Sequence, residues 1–253
     1  MNTIACYKIV YEEQDIAVAT DRSLSFDKAE LKLGLYDLNA IEEATKLAAD
    51  TGGIARAISL GGDCLDDSKL RKGLLSRGPA ELYLVKDPSL KDADTNTTAK
   101  LLSLAAQKIG FDLILCGEGS SDCYAQQVGV QLGEILGLPV INAVSKITPA
   151  GDKVVVERTL EDSVEVLEIT LPAVLSLTSD INKPRLPGMK DILAAGKKPV
   201  KELTLADIGA GTGAPAIETV SVLAPKQAER KRDIVEGETK VAEFLEKFRS
   251  ELK

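Results

Sequence analysis

A glycine-rich segment in the middle of the chain has the residue types and spacing to bind a phosphate group. The apolar stretch Leu113–Cys116 is followed by Gly117 and Gly119, and Asp122–Gly129 then leads into a helical pattern. Unpaired backbone N–H groups at a helix N-terminus, together with the helix dipole, favour a negatively charged ligand. The same pattern also fits an ordinary helix capped by Asp122 after a buried strand, since capping by aspartate is common.

The composition excludes several classes of protein. The chain has 253 residues, of which 44% are hydrophobic and 28% charged, so we expect a globular protein with one large domain and appendages or two small domains. The net charge of −8 argues against a nucleic-acid binder. No apolar run approaches the roughly 20 residues that span a bilayer, and the N-terminal residues lack a signal-peptide pattern. We therefore expect no membrane insertion and a cytoplasmic location.

Two further features argue against a self-sufficient enzyme. Histidine is absent, which removes histidine-based triads, imidazole metal sites and the usual general base. The four cysteines form no C-x-x-C pair, so zinc and dithiol interpretations are weak. Cys6 and Cys116 end apolar stretches, where cysteine is usually a small buried hydrophobe. We expect no catalytic side chain and no metal site, and interpret the chain as one that holds a ligand.

The first half of the chain alternates predicted strands with predicted helices. The strands cover 3–10, 54–60, 81–85 and 113–116; the helices follow a cap at Asp37 and cover 66–75, 97–109 and 125–136. This alternation predicts a parallel sheet covered on both faces, with strand order 3-2-1-4. Ligands bind at the carboxyl ends of strands where such an order reverses. Cys6-Tyr7 and the loop 117–127 should therefore flank one crevice, although no G-x-G-x-x-G follows the first strand.

The second half changes character after Leu138-Pro139. Segments 144–148, 153–160 and 164–171 alternate with period two and predict an antiparallel hairpin at the sheet edge, whereas 173–177 is another buried strand. Residues 178–190 predict a loop, and 189–195 a short helix. We divide the chain into a nucleotide-binding domain, 1–198, and an arm, 199–253. The arm ends in a predicted helix, 240–252, whose apolar residues suit a partner subunit: Val241, Phe244, Leu245 and Phe248.

Taken together, these elements resemble the β (small) subunit of the electron-transfer flavoproteins, in particular the Fix-type branch. The most specific part is Val156-Glu-Arg-Thr-Leu-Glu-Asp-Ser-Val-Glu-Val-Leu167 followed by Pro172-Ala-Val-Leu-Ser176. Ser163 departs from this signature, in a predicted turn. The stretches 36–44, 122–129 and 178–198 also match. The resemblance implies a Rossmann-like domain of the adenine-nucleotide-hydrolase type, with an antiparallel edge hairpin and an extended C-terminal arm.

The resemblance also implies cofactors and their contacts. A larger α subunit would hold or share a redox-active FAD, and this subunit would bind AMP or a second FAD. Many members have Asn-Pro where this chain has Gly34-Leu35, a departure that falls on the adenine or ribose contact. Many also have Val-Pro-Asp at Val10-Tyr11-Glu12, a loop that would face the ring of a second flavin, so electron bifurcation stays undecided. The nucleotide's phosphates would lie on Asp122–Gly129. The implied cofactor-binding residues are Cys6, Leu35, Tyr36, Asp37, Leu60, Asp122, Cys123, Tyr124, Ala125, Gln126, Gln127, Val128 and Gly129.

The resemblance further implies docking partners. Residues 183–195 match a recognition loop, in which Met189 would anchor into an acyl-CoA-type dehydrogenase or an electron-transfer-flavoprotein–quinone-type oxidoreductase. The alternative is a methionine that packs on its own domain. In the arm, Lys226, Arg230, Lys231 and Arg232 would complement the α subunit or form a solvated basic run.

Two other functions stay open at this level. A stand-alone adenine-nucleotide-binding module of the universal-stress type would explain the glycine-rich loop, but neither the hairpin signature nor the arm. A structural or adaptor protein with a vestigial crevice is the third possibility.

Overall fold

The computed structural model describes residues 1–211, 217, 219–226, 234, 237 and 240–251, without the side chains of residues 250 and 251. The chain divides into two compact units. The first contains residues 1–17 and 25–221, and the second contains residues 18–24 and 222–253. The first unit carries the large sheet and all the residues of the candidate site.

The first half of the chain supplies eight strands and four helices. The strands are β1 (Thr3–Cys6), β2 (Ile9–Tyr11), β3 (Ala17–Val18), β4 (Leu24–Ser25), β5 (Leu31–Leu33), β6 (Ala55–Gly61), β7 (Glu81–Lys86) and β8 (Leu113–Gly117). The helices are α1 (Leu35–Asp50), α2 (Ser68–Leu75), α3 (Thr95–Ile109) and α4 (Val128–Leu136).

The second half adds five strands and two helices within the described residues. The strands are β9 (Val140–Ala150), β10 (Lys153–Thr159), β11 (Val164–Thr170), β12 (Ala173–Leu177) and β13 (Val200–Leu203). The helices are α5 (Met189–Ala195) and α6 (Lys240–Glu251).

Nine strands form one mixed sheet in the order β11-β10-β9-β12-β8-β1-β6-β7-β13. The predicted order 3-2-1-4 is confirmed, because β7, β6, β1 and β8 are consecutive neighbours and all pair in parallel. The predicted edge hairpin is also confirmed: β9, β10 and β11 pair antiparallel, and β12 lies between them and β8. The order reverses between β1 and β8, which places a crevice at the carboxyl ends of these two strands.

The central strands are buried on both faces, as a parallel sheet between helices requires. Alternate residues of each strand enter two separate apolar layers. One layer packs against α1, α2 and α5, through residues such as Ile41 and Leu74. The other packs against α3 and α4, through residues such as Leu102 and Leu132. The two layers hold the helix N-termini that surround the crevice.

Several predicted boundaries are wrong. The first strand ends at Cys6 rather than at residue 10, and residues 9–11 pair instead with β5 in a separate two-stranded sheet. The helix predicted over 66–75 begins with a short 3-10 turn, Asp63–Asp66, and α2 then starts after an Asp67 cap. The predicted helix 125–136 begins only at Val128.

The predicted arm contains one strand of the large sheet. Val200–Leu203 forms β13 and pairs in parallel with β7 at the far edge from the hairpin. The first compact unit accordingly continues to Ser221, while the division at 198 stays a prediction. In the second unit, the predicted terminal helix is α6, of which Val241 and Leu245 are exposed. Leu252 and residues 230–232 lie outside the described residues.

Among the helices that the structure describes, none combines the length and the apolar character needed to cross a membrane.

Candidate functional site

A buried carboxylate connects the ends of β1 and β8. Asp37 lies in the first turn of α1 and is 8% exposed. Its Oδ2 accepts a hydrogen bond of 2.8 Å from the backbone N–H of Lys8, just beyond β1, and the backbone N–H of Gly117 also donates to the carboxylate. The prediction that Asp37 caps α1 is wrong, because α1 begins at Leu35 after Gly34 and has no side-chain cap. Asp37 instead fixes the floor of the crevice.

The surroundings of Asp37 contain groups that raise its pKa and groups that lower it. Burial raises the pKa of Asp37 to about 7, and the negative charge of Asp122 adds to that rise. This rise in pKa is limited by the backbone N–H donors of Lys8 and Gly117 and by the Lys8 ammonium, because these groups favour the ionised form. Asp37 therefore titrates near neutral pH.

Two glycines allow the N-terminus of α1 to approach β8 and β1. A Cβ on Gly117 would lie 2.8 Å from the backbone carbon of Tyr36 and 2.9 Å from Asp37 Oδ1. A Cβ on Gly34 would lie 2.4 Å from Asp37 Oδ2. Any side chain at either position would displace the carboxylate, so glycine is required for close contact rather than for flexibility.

The loop between β8 and α4 is held by Asp122, but not as predicted. Asp122 Oδ1 accepts hydrogen bonds from the Ser120 hydroxyl and from the Cys123 backbone N–H, and Oδ2 forms an ion pair with Lys8. Burial would raise the pKa of Asp122, but the hydrogen bonds from Lys8 and Ser120 outweigh it, and the pKa lies below its usual value. Asp122 is thus no helix cap, and the interpretation of this segment as a simple Asp-capped helix is wrong.

Two residues of the same loop adopt left-handed backbone conformations. Tyr124 has φ of 43° and Gln126 has φ of 55°, values that non-glycine residues adopt only when their surroundings hold them. The ring of Tyr124 covers Gly119, where a Cβ would lie 2.4 Å from it, and contacts the ring of Tyr36 with centroids 5.4 Å apart. The tyrosine pair joins the start of α1 to the loop across the crevice.

The N-terminus of α4 has no side-chain cap. Gln127 precedes it, and its side chain accepts a 2.8 Å hydrogen bond from the Thr95 hydroxyl rather than bonding the helix. The N–H groups of a first helical turn have no acceptor within the helix, so they are available to an external oxygen. Gly129 brings this turn against the sheet, since a Cβ there would lie only 2.2 Å from Ser176 Oγ on β12.

Two polar atoms, one in the loop before α4 and one in α4, are buried without a hydrogen-bond partner among the described residues. They are the hydroxyl oxygen of Ser121 and the amide oxygen of Gln131. Buried polar groups are almost always paired in native proteins, so each of these atoms implies a partner that the described residues do not supply.

The floor of the crevice on the α3–α4 side is apolar. Cys6 ends β1, Cys116 is the penultimate residue of the neighbouring strand β8, and both are buried, as predicted. Leu60, the penultimate residue of β6, packs in the same layer. The hydrogen bond with Cys116 and burial hold the pKa of Cys6 well above its usual value, so Cys6 is a neutral thiol. The ends of β1 and β8 are therefore surrounded by four predicted parts of the site: Cys6, Tyr36, Asp37 and the segment 122–129.

Leu35 and Met189 lie away from these strand ends. Leu35 lines a cleft between α1, the end of α2 and residues 179–186. Met189 begins α5 and its side chain is 74% exposed, so the alternative in which it packs on its own domain is wrong.

Sequence reasoning missed Lys8, Ser121, Thr95 and Gln131. Lys8 lies two residues after the end of the first strand, at the carboxyl edge of the sheet where ligands bind, and this position could have identified it. The other three depend on how α3, α4 and the loop meet, which no local pattern encodes.

The arrangement suits binding rather than covalent chemistry. The crevice offers helix N–H groups, one lysine, buried hydroxyl and amide oxygens and an apolar floor, but its two aspartates are engaged by backbone or lysine donors. The part of the chain that the structure describes contains no cluster of side chains able to hold a metal ion.

A comparison with known families identifies a match over most of the chain. Residues 10–208 match the electron transfer flavoprotein domain, and the matched region runs from β2 to the turn after β13. This region covers well over half of the chain and includes every element around the crevice except β1. The chain belongs to the electron transfer flavoprotein domain family, whose members are electron carriers.

Proposed function

We propose that this chain is the β subunit of a heterodimeric electron-transfer flavoprotein of the Fix-type branch. It would carry electrons between a dehydrogenase or reductase and an acceptor by means of an FAD held by, or shared with, an α subunit. The family match over residues 10–208 supports this proposal most strongly.

In the same proposal, an adenine nucleotide, AMP or a second FAD, binds in the crevice of this subunit. The uncapped first turn of α4 suits its phosphates, and the Lys8 ammonium, paired with Asp122, lies at the mouth as a further donor. The unpaired oxygens of Ser121 and Gln131 suit hydroxyl or amine donors of such a ligand. The residues present therefore fit the group.

The chain's own residues would bind and orient in this function. Backbone N–H groups of α4 would hold the phosphates, while Asp37 and the two glycines hold the ends of β1 and β8 at a fixed separation. The redox chemistry belongs to the flavin rather than to side chains. The docking partner would be an acyl-CoA-type dehydrogenase or a quinone-type oxidoreductase, reached through Met189, and the location would be cytoplasmic.

The test is co-expression with a candidate α subunit, followed by size-exclusion chromatography with absorbance detection. We expect a one-to-one complex with a yellow flavin spectrum. A chain that purifies alone, colourless and with bound AMP, would support the stand-alone nucleotide-binding module instead. A chain that binds neither a partner nor a nucleotide would leave only the adaptor function.

A further inference from the structure

A second concave surface lies beside the predicted docking segment. The cleft that Leu35 lines has a volume of about 410 Å³. Leu35, Leu38 and Leu186 supply apolar walls, while Arg77 and Lys183 supply positive charge. The first turns of α1 form one side and residues 182–186 the other, so the cleft is distinct from the crevice at the ends of β1 and β8.

The walls of this cleft are rigidly connected. Asn39 Nδ2 donates to the carbonyl oxygens of Ser179 and Asn182, and Asn182 Nδ2 donates in return to the carbonyl oxygen of Asn39. Arg185 binds the Glu42 carboxylate through two nitrogens, at 2.7 and 2.8 Å. Bidentate pairs of this kind fix geometry as well as charge. The shape of the cleft is therefore set before any partner binds.

The charges in the cleft are unbalanced. Arg185 is paired with Glu42, but neither Arg77 nor Lys183 forms an ion pair with any described residue. Arg77 Nε is buried and has no hydrogen-bond partner among those residues. Residues 183–198 contain five cationic side chains and one acidic one, in a chain whose net charge is −8. A positive region of this kind on an acidic protein favours an acidic partner.

Exposed apolar side chains continue along the chain from Leu186, at the cleft, into α5. Leu186 is 91% exposed, Met189 74% and Leu193 69%. Exposed apolar residues this close together in the sequence suit a protein interface. The protruding side chains suit a pocket on a partner, whereas the cleft suits a side chain that comes from the partner.

We propose that docking is reciprocal: the cleft receives an apolar side chain from an acidic segment of the redox partner. The aliphatic walls of Leu35, Leu38 and Leu186 would enclose that side chain, and Arg77 and Lys183 would bind the adjacent carboxylates. This inference rests on the proposed docking role of residues 183–195 and adds the chemistry of the partner segment.

The test uses a short fluorescein-labelled peptide of alternating aspartate and leucine and measures its binding by fluorescence anisotropy. The full-length chain is used as it purifies from co-expression. We expect saturable binding that weakens with salt, and binding about tenfold weaker in Lys183→Glu and in Leu186→Ser. Both residues are exposed, so the thermal unfolding of the two variants should match that of the wild type.

Matched controls separate the cleft from general surface effects. Lys100→Glu on α3 makes the same charge change at another exposed site, and Ile54→Ser removes an exposed apolar side chain near the amino end of β6. Neither should change peptide binding. A lysine–leucine peptide that binds equally well, unchanged binding in both cleft variants, or no binding to the wild type would each overturn the inference.

The rate of electron transfer by the Met189→Ala variant distinguishes a failure of this inference from a failure of the proposed docking role. If that variant transfers electrons normally while the cleft variants lose the peptide, the docking role of Met189 fails, reciprocal docking is wrong, and the cleft is an acidic-peptide site outside the docking contact. If Met189→Ala slows transfer and the cleft variants keep the peptide, the docking role stands and the reciprocal contact is wrong.

Discussion

At the scale of single residues, the crevice depends on a few buried polar contacts made between elements. Asp37 and Asp122 both precede or begin helical patterns, and sequence reasoning assigned both as caps. Each carboxylate instead has partners that are distant in sequence: Lys8 N–H and Gly117 N–H for the first, and the Lys8 ammonium for the second. Local preference drew attention to both aspartates, but tertiary contacts decided what they do.

Asp37 gives a prediction about pH. Its native pKa of about 7 lies above its value of 3.8 in an unfolded chain, so the native state binds more protons between these values. The free energy of unfolding should therefore fall as the pH rises through that window, by up to about 4 kcal/mol. Asp37→Asn does not titrate and should lack this decrease.

Chemical denaturation between pH 4 and pH 8 measures this difference in slope. Asp50→Asn, at the exposed end of α1, is the charge control and should follow the wild type. Parallel stability curves for the wild type and Asp37→Asn would contradict the assignment of a raised pKa to Asp37.

At the scale of elements, alternation and hydrophobic periodicity predicted most of the sheet. The order of β7, β6, β1 and β8, the edge hairpin and the short helix α5 all follow from patterns in the chain. β13 did not, because it has only four residues, two of them charged, and follows a proline. A short polar edge strand gains its stability from pairing with a neighbour, here β7, rather than from its own sequence.

The packing of α4 on β12 gives a second prediction. Gly129→Ala places a Cβ 2.2 Å from Ser176 Oγ, whereas the next nearest atom is 3.4 Å away. We expect the substitution to lower the free energy of unfolding by about 1–3 kcal/mol. Ser176→Gly in the same chain removes the overlapping atom.

Urea denaturation of the single and double variants measures the coupling between these positions. The double variant should be nearly as stable as Ser176→Gly alone, because the added Cβ no longer overlaps an atom. Gly129→Ala with wild-type stability, or a double variant as unstable as the sum of the two singles, would contradict the close contact.

At the scale of the whole molecule, two parts of the chain are not explained by the packing of the first compact unit. One is the exposed apolar group around Met189, and the other is the segment beyond Ser221 with α6. Both were predicted from the sequence to contact other proteins, because both contain apolar side chains that have no place in the core of the domain. The sequence could not place the cleft, because that cleft is formed by residues of α1, by Arg77 just after α2 and by a loop distant in sequence.

Met189 gives the prediction for docking. Met189→Ala removes an exposed, unbranched side chain that suits an adaptable contact, so electron transfer from a partner dehydrogenase should become about tenfold less efficient. Flavin content should stay unchanged, because Met189 lies away from the crevice. Stopped-flow measurement of flavin reduction at varied dehydrogenase concentration tests this, and equal rates in the two proteins would refute the docking role.

The segment beyond residue 225 gives the prediction for assembly. Truncation after Pro225 leaves the first compact unit complete to Ser221 and removes α6. The truncated chain should keep the circular dichroism spectrum of the sheet and helices but lose its association with the α subunit. Size-exclusion chromatography of the co-expressed pair measures this, and a truncated chain that still forms a flavin-containing heterodimer would show the segment to be dispensable.

In the proposed function, an adenine nucleotide lies on the uncapped first turn of α4. Gln127→Glu tests it most directly, because the new carboxylate is isosteric and still accepts the Thr95 hydroxyl hydrogen bond. It should stabilise the helix by about 0.3–1 kcal/mol through the dipole and yet repel phosphate.

The decisive measurement is the nucleotide released from the denatured complex, quantified by chromatography for the wild type, Gln127→Glu and the exposed charge control Gln107→Glu on α3. We predict that the wild type and Gln107→Glu release AMP or a second FAD in addition to the α-subunit FAD, and that Gln127→Glu retains only the latter. A wild-type complex without this additional nucleotide, or a Gln127→Glu complex that retains it in full, would contradict the account.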